Sequence, residues 1–439
     1  MKMRTLWITA PLCVGLSPQT AYAQSFDTVS FASDPNPFSL QVESEWFGYQ
    51  AGRNRDFTGN KPGISQERAY DYSVFLMKDG PAYRMYHGGR YRDVKPDGTV
   101  IDGDHVFGRW ITPSAFDADP TAWNDLLPNL GYAGQELPSP LWLQPQFNGD
   151  TGKWYSNNTL EPEVIKKDGL YYMYTQVEVQ PGQTLDTGQP AVRQSDRIQL
   201  YISDNSSDWL QANPNSSVVQ NIPNPSSIDL GHQEMLYVPF DNTNRPWWMY
   251  VRYSEDDVFK GHVRIRTDDP SNFNWGDREQ VGANFDQLGN QIGYFRDDNN
   301  IPMFTRITFT GNGAGREVPT LAFSRDGINW TYGDGAPTLL EGSQDNNRNK
   351  NTYFLGFSTI YGTGQLEEVS PGVFKLLYAA STANGPTAAN NDIFYSEIGL
   401  GEMYLRLPSA LPPSGVPEPT AAALLALGGA GLAARRRRA

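Results

Sequence analysis

The stretch that decides the fold is LEPEVIKKDGLYYMYTQ, from Leu160 to Gln176. Two carboxylates, Glu161 and Glu163, precede an apolar pair, and a run of tyrosine, methionine and threonine follows Asp168-Gly169. Asp-Gly accepts the positive φ angles of a two-residue turn, and aromatic and β-branched residues favour strands. The stretch therefore predicts a β-hairpin whose first strand begins with two acids.

The same hairpin pattern recurs along the chain. In the first unit Asp79-Gly80 is the predicted turn, and three later units follow at residues 232–254, 291–309 and 356–381. Units two, three and four close with a strand, Ser or Thr, Asp, a short loop and a tryptophan, at Trp209, Trp275 and Trp330. Repeats of this length, with four short strands each, are typical of propeller blades. The sequence therefore predicts an all-β, five-bladed β-propeller, in which the closing tryptophans fill space between blades.

Both ends of the chain are predicted processing segments. Residues 1–23 contain two basic residues, an apolar stretch and Ala21-Tyr22-Ala23, as in a secretory signal peptide. Val416-Pro417-Glu418-Pro419 precedes fourteen small and apolar residues and then Arg435 to Arg438. Fourteen residues fall short of the roughly 20 that span a bilayer. This tail resembles the PEP-CTERM sorting signal of Gram-negative bacteria, and an ordinary membrane tail anchor is the alternative.

The resemblance of the tail implies cleavage by an exosortase-type enzyme and export to the cell envelope or beyond. The predicted organisation is a signal peptide (1–23), an N-terminal segment that closes the first or last blade (24–65), the propeller (66–409) and the sorting tail (410–439).

The charge of the body excludes several partners. The chain has 35 basic and 49 acidic residues, and six of the basic ones lie in the two end segments. Without those six the net charge is near −20, which disfavours nucleic acid. The single cysteine, Cys13, lies in the signal peptide, so the exported protein has no disulfide or thiol chemistry. Few histidines remain, and a zinc site is not expected.

In a propeller the starts of the innermost strands converge at one mouth of the central cavity. Alignment of the hairpins by their first apolar pair places Asp71, Glu161 and His232 at one level, with Glu163 and Glu234 two residues further on. Alternation along a strand keeps both levels on one face. Acids that converge in this way repel, so at least one pKa is expected to rise, which gives the protonated and ionised pair that acid–base chemistry needs.

Five predicted blades, acids at the start of inner strands and the hairpin DGLYYMY resemble the five-bladed propeller glycosidases. That group includes the arabinanases and β-xylosidases of glycoside hydrolase family 43 and, more distantly, invertases and levansucrases; the resemblance covers residues 66–400. It implies an inverting mechanism in which an Asp of the first blade activates water, a later acid tunes the pKa and a Glu protonates the leaving oxygen.

Carried onto this chain, the resemblance makes Asp71 the base, Glu234 the preferred acid and Glu161 the modulator or substitute acid. Two positions depart from the family pattern. The fourth hairpin opens with residues 289–291, Gly-Asn-Gln, where the family has its acid, and His232 replaces an acid at its level.

Other residues are candidates for substrate binding. His87 and Arg90, with Arg109 as the alternative, would line the mouth and pair with a substrate anion. Glu163, His232 and Trp248 are predicted to contact substrate. The alternatives are that Glu163 forms an ion pair between blades, that His232 is a structural residue, and that Trp247 or Trp248 lies in the core. No metal or cofactor is predicted, with an axial ion or water near His232 kept open.

Two functions follow from this sequence. The first is an exported glycoside hydrolase that acts on a poly- or oligosaccharide with two carboxylates. The second is a non-catalytic carbohydrate-binding propeller of the extracellular polysaccharide matrix. The acids and the aromatic mouth favour the enzyme, and the missing acid of the fourth blade favours the binding protein.

Overall fold

The computed structural model describes residues 26–31, 39–46, 71–94, 100–118, 124–125, 159–179, 195–206, 209–212, 217–225, 227–282, 292–311, 317–332, 359–360, 362–381 and 398–410. They form five sheets of four or five strands, which follow one another along the chain as a five-bladed β-propeller, as the repeats predicted, and one additional two-stranded sheet. The predicted signal peptide and almost all of the predicted sorting tail lie outside these residues. No helix within the described ranges is long and apolar enough to cross a membrane.

The first two sheets are built mainly from strands of the first half of the chain. The chain opens with β1 (Phe26–Ser30) and β2 (Ser39–Trp46). The first sheet contains β3 (Asp71–Asp79), β4 (Ala82–Val94), β5 (Val100–Ile111) and β6 (Asn124–Asp125), and the helix α1 (Pro113–Ala118) follows β5. The second contains β7 (Thr159–Lys167), β8 (Leu170–Val179), β9 (Ser195–Ser203) and β10 (Leu210–Gln211).

The third and fourth sheets follow the same meander. Between the second and third sheets lies β11 (Val219–Gln220). The third sheet contains β12 (Ile228–Tyr237), β13 (Trp247–Glu255), β14 (Val258–Thr267) and β16 (Glu279–Gln280). Strand β15 (Phe273–Asn274) pairs with β11 in parallel, and a 3-10 turn spans Trp275–Asp277. The fourth sheet contains β17 (Ile292–Arg296), β18 (Pro302–Gly311), β19 (Glu317–Ser324) and β20 (Thr331–Tyr332).

The two ends of the chain meet in the fifth sheet. After β21 (Thr359–Ile360), this sheet contains β22 (Glu367–Ser370), β23 (Val373–Ser381) and β24 (Ile398–Arg406), and a 3-10 turn spans Pro408–Ala410. Strand β2 pairs with β24, and β1 pairs with β2. The N-terminal segment therefore completes the last sheet, which is one of the two places that the sequence left open.

Apolar side chains fill the spaces between neighbouring sheets, because each sheet is apolar on both faces. Phe75 and Met77 of β3 pack against Val164 and Met173 of the second sheet. A larger cluster, which includes Met235, joins the second and third sheets. A third cluster, with Leu236, Trp248 and Phe304, joins the third and fourth. Burial between the sheets, rather than within any one of them, therefore holds the ring together.

The closing phrases have the structural role that the sequence predicted. The Asp326 carboxylate accepts the backbone N–H groups of Ile328 and Asn329, both at 2.8 Å, and so forms the turn. Trp330 lies buried between the third and fourth sheets and donates its indole N–H to the Gly327 carbonyl at 3.3 Å.

The turn residues were predicted correctly in one hairpin, and in another the turn lies one residue further along the chain than predicted. Lys167 pairs with Leu170, so Asp168 and Gly169 form the turn at φ angles of +53° and +83°. In the first sheet, however, Asp79 pairs with Ala82, so the turn consists of Gly80 and Pro81. Asp79 is instead a buried strand residue whose carboxylate lies 2.6 Å from the Lys166 ammonium of the second sheet.

One short stretch, residues 359–360 and 362–366, runs across the inner strands; we call it the crossing segment. Ile360 pairs with Lys78 of the first sheet, and a Cβ on Gly362 would overlap the Val164 carbonyl of the second. The Thr363 carbonyl accepts the Tyr237 N–H of the third sheet at 3.0 Å. The Gly364 carbonyl accepts the Tyr294 N–H of the fourth at 2.7 Å. The crossing segment thus touches four sheets before it enters the fifth.

Candidate functional site

The inner strands of the first three sheets each contain a β-bulge near their start. Two residues oppose one residue of the neighbouring strand between Tyr72 and Phe75, between Leu160 and Glu163, and between Gly231 and Glu234. A bulge leaves a residue unpaired and re-aims its side chain, and bulges are frequent beside functional sites. The bulges therefore mark one level of the inner strands on three consecutive sheets.

The first bulge residue is strained in two of these sheets. Glu161 and His232 have φ angles of +52° and +49°. Left-handed backbone costs a residue with a side chain about 1–2 kcal/mol. Such strain persists only where the surroundings enforce it and is common at functional sites. Glu161 and His232 are thus equivalent residues of neighbouring sheets, held in the same unfavourable conformation.

The bulges correct the predicted alignment of the first hairpin. Counted from the bulge, the residue equivalent to Glu161 and His232 is Ser73, and Phe75 is equivalent to Glu163 and Glu234. Asp71 pairs with Gly89, two residues before the bulge. The alignment by apolar pairs was therefore wrong by two residues in the first sheet, because the apolar run of β3 already begins at Val74, two residues before the position equivalent to Val164, whereas it was right for the second and third sheets.

Glu161 and His232 contact each other across the boundary between the second and third sheets. Their Oε1 and Nδ1 atoms are 2.6 Å apart, and both side chains keep limited contact with solvent. The second oxygen of Glu161 is buried without a hydrogen-bond partner among the described residues. The pair therefore leaves one buried carboxylate oxygen whose hydrogen-bonding capacity these residues do not use.

Two buried glutamines hold the bulges in place. The side-chain oxygen of Gln176 accepts a hydrogen bond from the backbone N–H of His232 at 2.9 Å, and the side-chain NH₂ of Gln176 donates to the Asp196 carboxylate at 2.8 Å. The Gln233 amide donates to the backbone carbonyl of Glu161. A Cβ on Gly231 would lie 2.6 Å from the Gln176 oxygen, so a glycine is needed beside His232. These side-chain hydrogen bonds satisfy backbone groups that the bulges leave without partners in the neighbouring strand.

Glu163 and Glu234 are equivalent acids in different electrostatic environments. Glu234 lies 3.0 Å from the guanidinium of Arg306, a fully buried residue of the fourth sheet. Glu163 has no basic partner in the described part of the chain. Burial, followed by the negative charges of Glu234 and Glu161, raises the pKa of Glu163 well above its ordinary value, although the Met235 N–H opposes the rise.

The exposed fractions separate the three acids. Glu161 and Glu163 each keep 9% of their surface exposed, whereas Glu234 keeps 1%. A carboxyl group that is neutral at neutral pH can donate a proton, and Glu163 has the environment that produces one. Glu234 is paired and sealed, so this geometry favours Glu163 over the predicted Glu234 as a proton donor.

The structure brings together four of the predicted site residues: Glu161, Glu163, His232 and Glu234. The backbone of Asp71, His87 and Arg90 lies in β3 and β4, but their side chains are outside the described part of the structure. Their predicted roles stay predictions. An aspartate two residues before the bulge of β3 still lies on an innermost strand, which is compatible with the role of a base.

Trp248 corrects a prediction, because its indole is a core side chain. It is 5% exposed, lies between the third and fourth sheets, and stacks on Phe304 at a centroid distance of 5.1 Å. Its N–H donates to Asp241 at 2.9 Å. Trp247 is equally buried on the opposite face of β13. Both tryptophans therefore pack in the interior, and neither presents a surface to a ligand.

Sequence reasoning missed several neighbours of the acids. Arg306 and His262 lie among other polar residues in β18 and β14, so the sequence did not single them out. His262 is buried, and burial together with the charges of Arg306, His232 and Arg252 lowers its pKa to about 2. Gln176 and Gln233 gave no signal, because only the bulges reveal which backbone groups need them. Within the described ranges, no group of three or more His, Cys, Asp or Glu residues is arranged to hold a metal ion.

Comparison with known proteins identifies the C-terminal tail. Residues 415–438 match the PEP-CTERM protein-sorting motif, which indicates export and sorting to the cell surface. No curated protein matched the sequence of the chain.

Several solved structures resemble the propeller. A family 117 glycoside hydrolase of the marine bacterium Zobellia galactanivorans is 12% identical, with a TM-score of 0.46, over 88% of this chain and 97% of that one. The catalytic domain of a family 62 α-L-arabinofuranosidase from Coprinopsis cinerea is 14% identical, with a TM-score of 0.45, over 87% and 97%. A glycosidase of Bacteroides thetaiotaomicron is 12% identical, with a TM-score of 0.43, over 78% and 88%. The similarity concerns the fold, and no activity is assigned from it.

Proposed function

We propose that this protein is an exported glycoside hydrolase that acts on a poly- or oligosaccharide, with Glu163 as the general acid. The observation that supports this role most directly is the electrostatic contrast at the bulges. Glu163 has a raised pKa and no basic partner in the described part of the chain, while Glu161 lies against His232 and Glu234 against Arg306. Hydrolysis of a glycosidic bond needs one protonated and one ionised carboxyl group in a single cleft.

In this mechanism the Glu163 carboxyl donates its proton to the glycosidic oxygen as the bond to the anomeric carbon breaks. An ionised carboxylate removes a proton from the attacking water, whose oxygen forms the new bond. Glu161 is well suited to this second role, because His232 orients one of its oxygens and the other has no hydrogen-bond partner among the described residues. Asp71, two residues before the bulge of the first sheet, is the other candidate for the base.

The roles of Glu234 and Arg306 in this proposal are electrostatic. Arg306 stabilises the ionised form of Glu234, and the resulting negative charge raises the pKa of Glu163. Glu234 thereby takes the place of the modulating acid, and Glu163 takes the place of the proton donor that was expected on the fourth sheet. Cleavage of the sorting tail by an exosortase-type enzyme would release the propeller at the envelope or into the surrounding matrix.

The experiment measures the release of reducing sugar by the purified exported protein from a panel of oligosaccharides. We expect Glu163→Gln to lower kcat by about 10²–10⁴-fold on natural linkages, the usual contribution of a general acid. The loss should be far smaller with a dinitrophenyl glycoside, since that leaving group needs no protonation. Asp268→Asn is the control, because Asp268 is an exposed acid that directly follows β14 of the third sheet and should retain full activity. Equal losses on both substrates would contradict the role of Glu163.

The second candidate function is carbohydrate binding without hydrolysis. The observation that favours it is the sealed Glu234–Arg306 pair, which removes one predicted acid from contact with any substrate. Saccharide binding by the wild-type protein with no product from any member of the panel would support this alternative.

A further inference from the structure

Beside the acid cluster, the face of the third sheet that is turned toward the fourth carries a second set of polar residues. Arg252 on β13 pairs with Gly231 on β12 and with His262 on β14, so the three residues form one row across the sheet. Gly231 directly precedes His232. The row therefore runs from the bulge toward the outer part of the sheet, next to the proposed catalytic residues.

Arg252 differs from the other basic residues of this region. Arg264 and Arg266 pair with Glu279, and Arg306 pairs with Glu234. Arg252 is only partly buried and lies within 4.0 Å of no carboxylate in the described part of the chain, and its Nε is buried without a hydrogen-bond partner there. Leaving a guanidinium N–H without a partner is costly, so a bound anion would supply what the site lacks.

The tip of the β13–β14 hairpin adds an aromatic surface to this position. Phe259 is 37% exposed, and its ring lies 5.4 Å from the Arg252 guanidinium and 5.7 Å from the His262 ring. Lys260 and Glu255, 3.9 Å apart, form an exposed pair at the same tip. An exposed aromatic ring beside a cation suits a sugar that has an apolar face and an anionic substituent.

His262 completes the position as an uncharged group. Its low pKa keeps the imidazole neutral at physiological pH, so it adds no competing positive charge. Of the two buried or partly buried arginines of this region, Arg306 is paired with Glu234, which leaves Arg252 as the one without an ion-pair partner among the described residues.

We infer that Arg252, with Phe259 beside it, forms a subsite for the carboxylate of an acidic sugar, so that the saccharide bound at the acid cluster contains uronic acid residues. The guanidinium would bind the carboxylate in bidentate fashion, and the ring would support the apolar face of the sugar. This inference rests on the proposed function, because it assumes that the cavity takes a saccharide.

The test is calorimetric titration of the purified exported protein with short oligomers of galacturonate, glucuronate and mannuronate. The methyl esters of the same oligomers serve as uncharged counterparts, and sulfated galactose oligomers form a third arm. We expect at least one oligouronate to bind about tenfold or more tightly than its ester, the gain of a charge-assisted hydrogen bond. Arg252→Gln should abolish the difference, and Phe259→Ala should weaken both forms alike.

Arg278→Gln is the matched control, since Arg278 is an exposed arginine of the third blade that stacks on Trp275. It should keep the full preference for the charged oligomer. Three results would overturn the inference: equal binding of acids and esters, binding of sulfated oligomers alone, or an unchanged preference in a folded Arg252→Gln protein.

These outcomes are separable from those of the proposed function. Uronate binding that depends on Arg252 without any hydrolysis would refute the enzyme and leave the subsite. Hydrolysis of neutral oligosaccharides alone would refute the subsite and leave the enzyme. Titrations repeated with Glu163→Gln measure binding without turnover.

Discussion

The raised pKa of Glu163 predicts an unusual dependence of stability on pH. The folded protein keeps the proton of this carboxyl group above pH 4.5, its ordinary pKa, whereas the unfolded chain releases it. Unfolding therefore releases a proton in this window, and the stability of the wild type falls as the pH rises. Glu163→Gln removes the ionisable group, so the variant lacks this loss.

The magnitude follows from linkage. Relative to Glu163→Gln, the wild type should lose up to about 1.4 kcal/mol for each pH unit above 4.5, until the folded-state pKa is reached. The amide donors of the new glutamine add a constant cost of about 1–3 kcal/mol if they are left unpaired. Because that cost does not change with pH, the slope of the difference is the quantity that reports the protonation of Glu163.

The assay is chemical denaturation of both proteins at half-unit steps from pH 4 to pH 8, followed by tryptophan fluorescence. Asp268→Asn supplies the control, since Asp268 is exposed and its replacement should give a flat difference. A flat difference for Glu163→Gln would mean that Glu163 is ionised in the folded protein. The proposed role of general acid would then fail together with the electrostatic reasoning.

Three further predictions concern the surroundings of the site. Arg306→Met should destabilise the protein by about 3–5 kcal/mol, because it leaves Glu234 charged and buried without its partner, and the added change Glu234→Gln should restore much of the denaturation midpoint. Gly231→Ala should displace Gln176, release the His232 backbone and lower kcat more than it lowers thermal stability, whereas unchanged kinetics would show that the bulge tolerates the methyl group. Asp326→Ala should cost about 1–3 kcal/mol through its lost turn hydrogen bonds and leave activity intact, as a thermal melt and a rate measurement on the same sample will reveal.

The five-sheet architecture could be predicted from the sequence because its signals are local. Asp168-Gly169 forms the expected turn, and the phrase ending at Trp330 forms the expected structural loop. Each depends on neighbouring residues alone. Closure of the ring by β1 and β2 was harder to place, since the strand partners of β2 and β24 are 355 to 365 residues apart and leave no local pattern.

The details of the site depended on features that the sequence does not reveal. The position of the bulge decides which side chains are equivalent, and in β3 the apolar run begins inside the bulge, so the first hairpin was misaligned at Asp71 while the second and third were not. The choice between Glu163 and Glu234 depended on Arg306, a residue 72 positions away from Glu234. Of the two adjacent tryptophans, one was expected in the core and Trp248 at the substrate. Both faces of a propeller blade are interior, however, so Trp248 is buried as well.

The crossing segment has a consequence for how the blades are held together. Its backbone contacts the inner strands of four blades, past the bulges in the direction of the strand ends. A side chain at Gly362 or Gly364 would not fit there without displacing a neighbour. One at Gly364 would collide with Leu236 of the third sheet, and one at Gly362 with Val164 of the second, so a substitution at either glycine would disturb the contacts of this segment with several blades at once.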